Sequence, residues 1–210
     1  MPKIKPFENY TQRYEEWFER HIYVYKSELN ALRKLLPPGK GIEIGVGSGR
    51  FAAPLGIKFG VDPSVKMAKL SKERGIEVIR GIAEVLPIKD CTFDFALMVT
   101  TVCFLDDINM TFNEVKRILR PGGYLLMGFV DRESKIGRKY EIHKEGSVFY
   151  SIAKFYSTRE VLTYLNKANF VEIRIVQTLF KDLKDIRTLE PVKNGYGEGS
   201  FVVIRARYTK

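Results

Sequence analysis

Gly41-Ile42-Glu43-Ile44-Gly45-Val46-Gly47-Ser48-Gly49-Arg50 reads as a short apolar strand running into a glycine turn. Glycines at alternate positions let a backbone approach a ligand where a Cβ would block it. The acidic Glu43 stands just before the turn, and a second acid-plus-turn, Asp62-Pro63-Ser64, follows one αβ unit later. The spacing is G-x-G-x-G, and Arg50 occupies the third-glycine position of the dinucleotide pattern G-x-G-x-x-G. That substitution argues against a nicotinamide- or flavin-binding turn.

Outward from this segment, apolar strand-like runs alternate with helical patterns. Strands are expected at Ile42–Ile44, Ile57–Val61, Glu77–Arg80, Phe93–Val99 and Tyr124–Val130. Between them, Ser64–Arg74 reads as a helix with Gly75 at its exit. A second helix, capped by Asp106 or Asp107, carries Ile108, Phe112, Val115 and Leu119 and is closed by Pro121-Gly122-Gly123. Alternation of this kind predicts a parallel sheet with helices on both faces. After a capping box at Ser157–Glu160, the strands Val171–Thr178 and Phe201–Tyr208 follow with no crossover helix between them, so they are expected to pair antiparallel. Upstream, residues 8–36 read as one helix with Tyr10, Tyr14, Trp17, Phe18 and His21 on one face, stopped by Pro37-Pro38-Gly39.

Composition bounds the function. The chain has 210 residues, 45% hydrophobic and 29% charged, which fits one globular domain with an N-terminal appendage. No apolar run has the length of a membrane span, and the first residues lack the apolar core of a signal peptide, so the expectation is a cytoplasmic protein. Cys91 and Cys103 have no partner at metal-ligand spacing, so no metal site is expected. The net charge of +10 raises nucleic acid as a partner, but the basic residues are scattered, without a dense run interleaved with aromatics, which argues against it.

Five ordered segments resemble the motifs of class I S-adenosylmethionine-dependent methyltransferases: Gly41–Arg50, Val61–Ser64, Gly81-Ile82-Ala83-Glu84-Val85-Leu86-Pro87, Phe93–Ala96 and Leu119–Leu125. The resemblance spans about Tyr10 to Arg207 and is similar to the small-molecule group that includes quinone-biosynthesis methyltransferases. It implies an α/β, Rossmann-like, seven-stranded, mostly parallel sheet of order 3-2-1-4-5-7-6 with strand 7 antiparallel. Residues 1–38 would form a helical cap and 39–210 the S-adenosylmethionine-binding domain. The cofactor would be S-adenosyl-L-methionine, leaving as S-adenosyl-L-homocysteine, and the partner a small-molecule acceptor methylated at N, O or C. RNA or protein methylation on the same fold, and a non-catalytic nucleotide-binding module, are the alternatives.

The resemblance also assigns residues. The backbone of Gly45, Val46, Gly47, Ser48 and Gly49 would approach the methionine and ribose portion, and Glu43 would organise the amino end or hold the loop. Asp62, with Pro63 and Ser64, would accept the ribose hydroxyls, since an acceptor-only carboxylate suits a vicinal diol; the bland alternative is a helix cap. Met67 and Ile82 would sandwich the adenine unless Met67 is ordinary core, Ala83 and Glu84 would line its edge, and Thr100, with Thr101, would face the sulfonium. Ile82 departs from the aspartate common in the family, so the bond to the adenine amino group would come from Glu84, from backbone or not at all. Tyr14 is the aromatic candidate over the cofactor, against a packing role. His143 heads the candidate bases, with Asp131, Tyr140 and His21 behind it, each of which also reads as a surface or lid residue.

Overall fold

The computed structural model describes residues 3–209. An eight-stranded sheet is flanked by seven α-helices among these residues. In chain order the helices are α1 (Lys5–Asn9), α2 (Thr11–Arg20), α3 (Ile22–Leu35), α4 (Val65–Glu73), α5 (Ile108–Ile118), α6 (Lys135–His143) and α7 (Thr158–Lys167). The strands are β1 (Gly41–Ile44), β2 (Phe59–Val61), β3 (Glu77–Ile79), β4 (Phe93–Val99), β5 (Leu119–Val130), β6 (Phe170–Thr178), β7 (Lys193–Asn194) and β8 (Phe201–Tyr208). The sheet order is β3-β2-β1-β4-β5-β8-β6-β7. The first five strands pair parallel, and β8 inserts antiparallel between β5 and β6. This is the expected order with one addition: β7 pairs with Val176 and Gln177 at the far edge, in a stretch read from the sequence as loop.

Alternation along the strands builds two apolar layers. Ala96 and Met98 of β4 face Phe112 and Val115 of α5 and Val161 and Leu165 of α7. Phe95, Leu97 and Val99 point the other way, into a layer with Leu29, Leu32 and Leu35 of α3. Period-two strands and amphipathic helices can bury both faces only in this arrangement. Gly128 lets the second layer close, because a Cβ there would lie 2.7 Å from the ring of Phe201 and 3.1 Å from Leu32. Helix ends follow local rules: the Asp107 carboxylate accepts from the N–H groups of Asn109 and Met110 at 2.8 and 3.0 Å, and Ser157 with Glu160 forms a reciprocal capping box.

Two expectations are corrected. The single helix over 8–36 is three helices, broken at Tyr10 and His21, where the backbone leaves helical geometry (φ −127°, ψ 34° and φ −115°, ψ 43°). A straight helix over that range would run about 43 Å; the breaks let the aromatic half turn over the strand ends while α3 stays on the sheet. The Pro121-Gly122-Gly123 segment does not close α5 but lies within β5, because Leu119 is already extended and pairs with Phe93. The register shift before Tyr124 absorbs the Pro-Gly-Gly segment.

The 81–90 loop beyond β3 is held by one ion network. Arg117 of α5 donates to the carbonyls of Ile88 and Leu86 at 2.6 and 2.9 Å and pairs with Glu114 and Asp90. Glu114 in turn accepts from the Leu86 N–H at 2.7 Å. Arg117→Met takes the guanidinium away from two carbonyls and two carboxylates. It is expected to lower the urea-unfolding free energy by about 1–3 kcal/mol and to speed amide exchange across Gly81–Leu86; an unchanged midpoint and protection pattern would show that the network does not hold the loop.

Candidate functional site

The end of β2 holds the glycine turn after β1. The Val61 carbonyl accepts the N–H groups of Gly45 and Val46 at 2.8 and 3.0 Å, and Asp62 Oδ2 accepts that of Gly47 at 2.8 Å. Gly45, Gly47 and Gly49 all have positive φ (71°, 54° and 82°), a backbone that L side chains rarely adopt. Each is also constrained by a neighbour. A Cβ at Gly45 would lie 2.5 Å from Thr101, and one at Gly49 would lie 2.6 Å from Ile76 and 2.8 Å from Ser71 of α4. Over Gly47 stands the Tyr14 hydroxyl, 3.5 Å from where a Cβ would be.

Arg50, the departure from the dinucleotide pattern, is a clamp. Its guanidinium pairs with Glu15 of α2 at 2.7 Å, its carbonyl accepts the Tyr25 hydroxyl, and Glu15 also pairs with Arg74. Arg74 donates to the Ser48 carbonyl at 2.6 Å. The aromatic helix α2 is thereby pinned to the turn.

A cavity of about 530 Å³ opens along the carboxyl ends of β1, β2 and β4, within the range of small-molecule sites. One end is walled by Gly45, Gly47, Asp62, Pro63, Ser64 and Met67, then Ile82, Ala83 and Glu84, with Thr100 between the two ends. Thr100 has a φ of 52°, a non-glycine residue held in the left-handed region while its N–H donates to the Gly128 carbonyl at 2.7 Å. Such strain persists only where surrounding structure enforces it. The other end is aromatic, with Tyr14, Trp17, Phe18, Tyr140, Phe149 and Tyr150.

The expected site residues therefore separate into two groups. Glu43, Val46, Ser48 and Gly49 lie behind the turn and do not reach the cavity wall; Glu43 is 1% exposed, one of its oxygens has no hydrogen-bond partner, and burial raises its pKa well above the carboxylate range. Asp62 is on the wall. Its Oδ1 accepts the Ser64 N–H at 2.8 Å, each oxygen keeps further acceptor capacity, and burial pushes its pKa up to about 6. Met67 and Ile82 both line this end. Glu84 lines it too, yet one of its oxygens accepts the N–H groups of Asp106 and Asp107 at 2.7 and 3.3 Å, a commitment the sequence did not reveal.

Among the candidate bases, Asp131 is structural: its carboxylate accepts the Thr158 hydroxyl at 2.6 Å and the Glu133 N–H at 2.8 Å. His143 ends α6, exposed at the rim of the cavity. His21 and Tyr140 line the aromatic end, where burial, with the Arg20 charge behind it, lowers the pKa of His21, and burial raises that of Tyr140. Burial pushes the Cys103 thiol up to about 12, consistent with an inert core cysteine.

Two parts of the site were missed from the sequence. Glu28 of α3 is 4% exposed and lines the cavity; its signal was a charge on the same helical stripe as Val24, Ala31, Leu32 and Leu35. The segment around α1 is a strap across the cofactor-like end. Lys3 reaches the Leu105 carbonyl at 3.1 Å, and Phe7 packs on Tyr14, Phe104 and Phe149 at 5.8, 5.1 and 5.4 Å. Glu8 accepts the Ser64 hydroxyl at 2.6 Å, while Ser64 itself caps α4 through the Met67 N–H at 3.2 Å. No group of acidic, histidine or cysteine side chains that could hold a metal ion occurs among the described residues, nor does any helix there have the length and apolarity to cross a membrane.

Comparison with known proteins fits this geometry. Residues 42–127 match a family model described as a methyltransferase domain. An uncharacterized protein of Methanocaldococcus jannaschii is 45% identical over 95% of this chain and 97% of its own. A crystal structure from Thermotoga maritima, described as a "SAM-dependent methyltransferase, possible histamine N-methyltransferase", is 55% identical with a TM-score of 0.95, covering 97% of this chain and 99% of that one. A Haemonchus contortus phosphoethanolamine N-methyltransferase bound to S-adenosylhomocysteine shares the fold alone, with a TM-score of 0.63 and 16% identity over 88% of this chain and 53% of its own. The glycine turn with an acid after β2, on a sheet whose β8 is inserted antiparallel, belongs to an enzyme that uses S-adenosylmethionine: this chain is a member of the class I S-adenosylmethionine-dependent methyltransferases.

Proposed function

We propose that the enzyme passes the cofactor's methyl group to a small molecule held in the aromatic end of the cavity. One observation carries the reading: a single cavity joins the glycine turn and Asp62 to a chamber of aromatic rings, with the Lys3–Asn9 strap across it. The acceptor therefore has to fit between the strap, α2 and α6, which suits a metabolite better than a folded macromolecule. The description of the Thermotoga maritima protein as a possible histamine N-methyltransferase, a statement about that protein, points to the same size of acceptor.

In this reading the backbone of Gly45 and Gly47 lies against the methionine and ribose portion. Asp62 accepts the ribose hydroxyls, with Pro63 and Ser64 completing that wall. Met67 and Ile82 flank the adenine, with Ala83 and the free side of Glu84 at its edge. Glu43, with its unpartnered oxygen, supports the turn and Tyr14 from behind. Tyr14, over Gly47, and Thr100 would flank the reacting methyl group. The bound cofactor supplies an activated methyl on a sulfonium, so the protein's share is alignment and exclusion of water. The rings also favour a cationic sulfonium electrostatically. Burial makes the Tyr14 hydroxyl harder to ionise, with Glu43 and Glu15 adding to the effect, so Tyr14 acts as a neutral donor and ring face. His143 at the rim would serve the exit of product or proton.

Four measurements test this. Methyl-labelled cofactor offered with amines, phenols and small carboxylates is expected to place label in a small product, and label confined to RNA or protein would reject the small-molecule reading. Asp62→Ala is expected to weaken S-adenosylhomocysteine binding by about 1–3 kcal/mol, the scale of a hydrogen bond to a charged group. The ionised Asp62 is the form that accepts the diol, so affinity should hold above about pH 6 and fall as pH drops through it. Stability of the ligand-free protein runs the opposite way for this group: its folded pKa is raised, so its contribution is greatest at low pH and is lost as pH rises to about 6. A flat affinity profile from pH 5 to 8 would remove Asp62 from the binding role. Glu8→Ala, which frees the strap from α4, is expected to speed S-adenosylhomocysteine dissociation about fivefold, equivalent to about 1 kcal/mol, and an unchanged off-rate would show that the strap does not gate the cofactor.

A further inference from the structure

Glu28 has no role in the chemistry described so far, and its position is unusual. It sits on the buried stripe of α3 and lines the cavity, within electrostatic reach of three tyrosines that line it too. No hydrogen-bond donor or cation among the described residues meets it. An unpaired carboxylate in such a place is strongly unfavourable, and burial alone pushes its pKa up to about 8. The groups within its electrostatic reach are Tyr14 of α2, Tyr140 of α6 and Tyr150, each made harder to ionise by its charge. The rings of Tyr140 and Tyr150 lie 4.8 Å apart, and Tyr14 contacts Phe18 at 5.1 Å and Phe149 at 5.9 Å. Of the other titratable groups lining the chamber, His21 is kept neutral by burial and the charge of Arg20, while Arg13, Arg20 and His143 are exposed at the rim. Lys3 is engaged at the opposite end by the Leu105 carbonyl and Asp106. The inner chamber thus offers one carboxyl group and several ring faces, and no interior cation.

That combination recognises one chemical class. A ring face and a carboxylate both attract an ammonium, whereas a carboxylate or phosphate ligand would find no cation here to pair with and a neutral one would gain only an uncharged hydrogen bond from Glu28. We infer that the acceptor is a cationic amine whose ammonium group is anchored by Glu28 among Tyr14, Tyr140 and Tyr150. The inference rests on the small-molecule reading above and adds to it the charge of the acceptor and the residue that selects it. Glu28 is mostly protonated in the ligand-free protein at neutral pH, so capture of an ammonium ionises it and releases close to one proton to the solvent.

The test uses the full-length protein saturated with S-adenosylhomocysteine, titrated calorimetrically at pH 7 with propylamine, histamine and tryptamine. Each amine is compared with a neutral alcohol and a carboxylate of the same skeleton, in two buffers of different ionisation enthalpy. The expected result is that at least one amine binds about 10- to 100-fold more tightly than its alcohol, the scale of a hydrogen bond to a charged group, with proton release and no measurable binding of the carboxylate. Glu28→Gln is close to isosteric and is expected to erase the amine preference and the proton release while leaving S-adenosylhomocysteine affinity unchanged. Equal binding of amine and alcohol, binding of no amine, or an amine preference that survives Glu28→Gln would overturn the inference. Methylation of a phenol or carboxylate would overturn it while the small-molecule reading stands; label found only in a macromolecule would sink both.

Discussion

The structure depends on the grip that the end of β2 keeps on the glycine turn. One carbonyl, Val61, and one carboxylate, Asp62, together accept three consecutive N–H groups of the turn. Those N–H groups converge because positive φ at Gly45 and Gly47 bends the chain into a concavity that strand geometry would not give. The concavity then fixes what surrounds it. Thr101 fills the space over Gly45, α4 packs on Gly49, and Tyr14 covers Gly47. The same carboxylate that organises the turn also stands on the cavity wall, so the shape of the turn and the chemistry of the wall share one residue.

Arg50 shows how a departure from a pattern carries structural information. In the dinucleotide turn a third glycine permits a helix to pack closely on the strand. Here no long helix follows the turn, and the position is used by a side chain reaching outward to Glu15. Together with Arg74 this joins three separate stretches of chain, namely α2, the turn and α4. The pairs are partly buried and share a carboxylate, which makes them a positioning network more than a source of stability. Their consequence is that the aromatic face of α2 is aimed along the cavity.

What could be read from the sequence follows from which physical signals are local. The alternation of strands and helices and the antiparallel pairing of β8 with β6 were legible because strand period, helix caps at Asp107 and Ser157 and the missing crossover before Phe201 are all short-range features, whereas the sheet order came from the family resemblance. The breaks at Tyr10 and His21 were not, because neither residue is a helix breaker and the apolar pattern runs on through both. The strap was hidden for a similar reason: Lys3, Phe7 and Glu8 look like a polar tail until Leu105, Tyr14 and Ser64 are placed beside them. Glu28 was legible in principle, since a carboxyl group on an apolar stripe conflicts with burial, but only the third dimension shows that a cavity resolves the conflict.

The two ends of the cavity are built on different principles, and this bears on how such an enzyme can change acceptor. The glycine-turn end relies largely on backbone, namely glycine geometry and the Val61 carbonyl, with the Asp62 carboxylate as a side-chain anchor. The acceptor end relies on side chains from α2, α3, α6 and the segment that follows α6, elements outside the β1–β5 framework. Rings there supply area and a preference for positive charge with little loss of rotamer freedom. Replacing one of them changes the shape of the chamber while the donor stays in place. Methyl transfer needs alignment more than covalent assistance, so a rigid donor site facing a substitutable wall lets substrate range drift without loss of the chemistry. A buried ionisable group such as Glu28 is the exception on that wall: under the amine inference, replacing it by a neutral side chain changes which charge the chamber prefers.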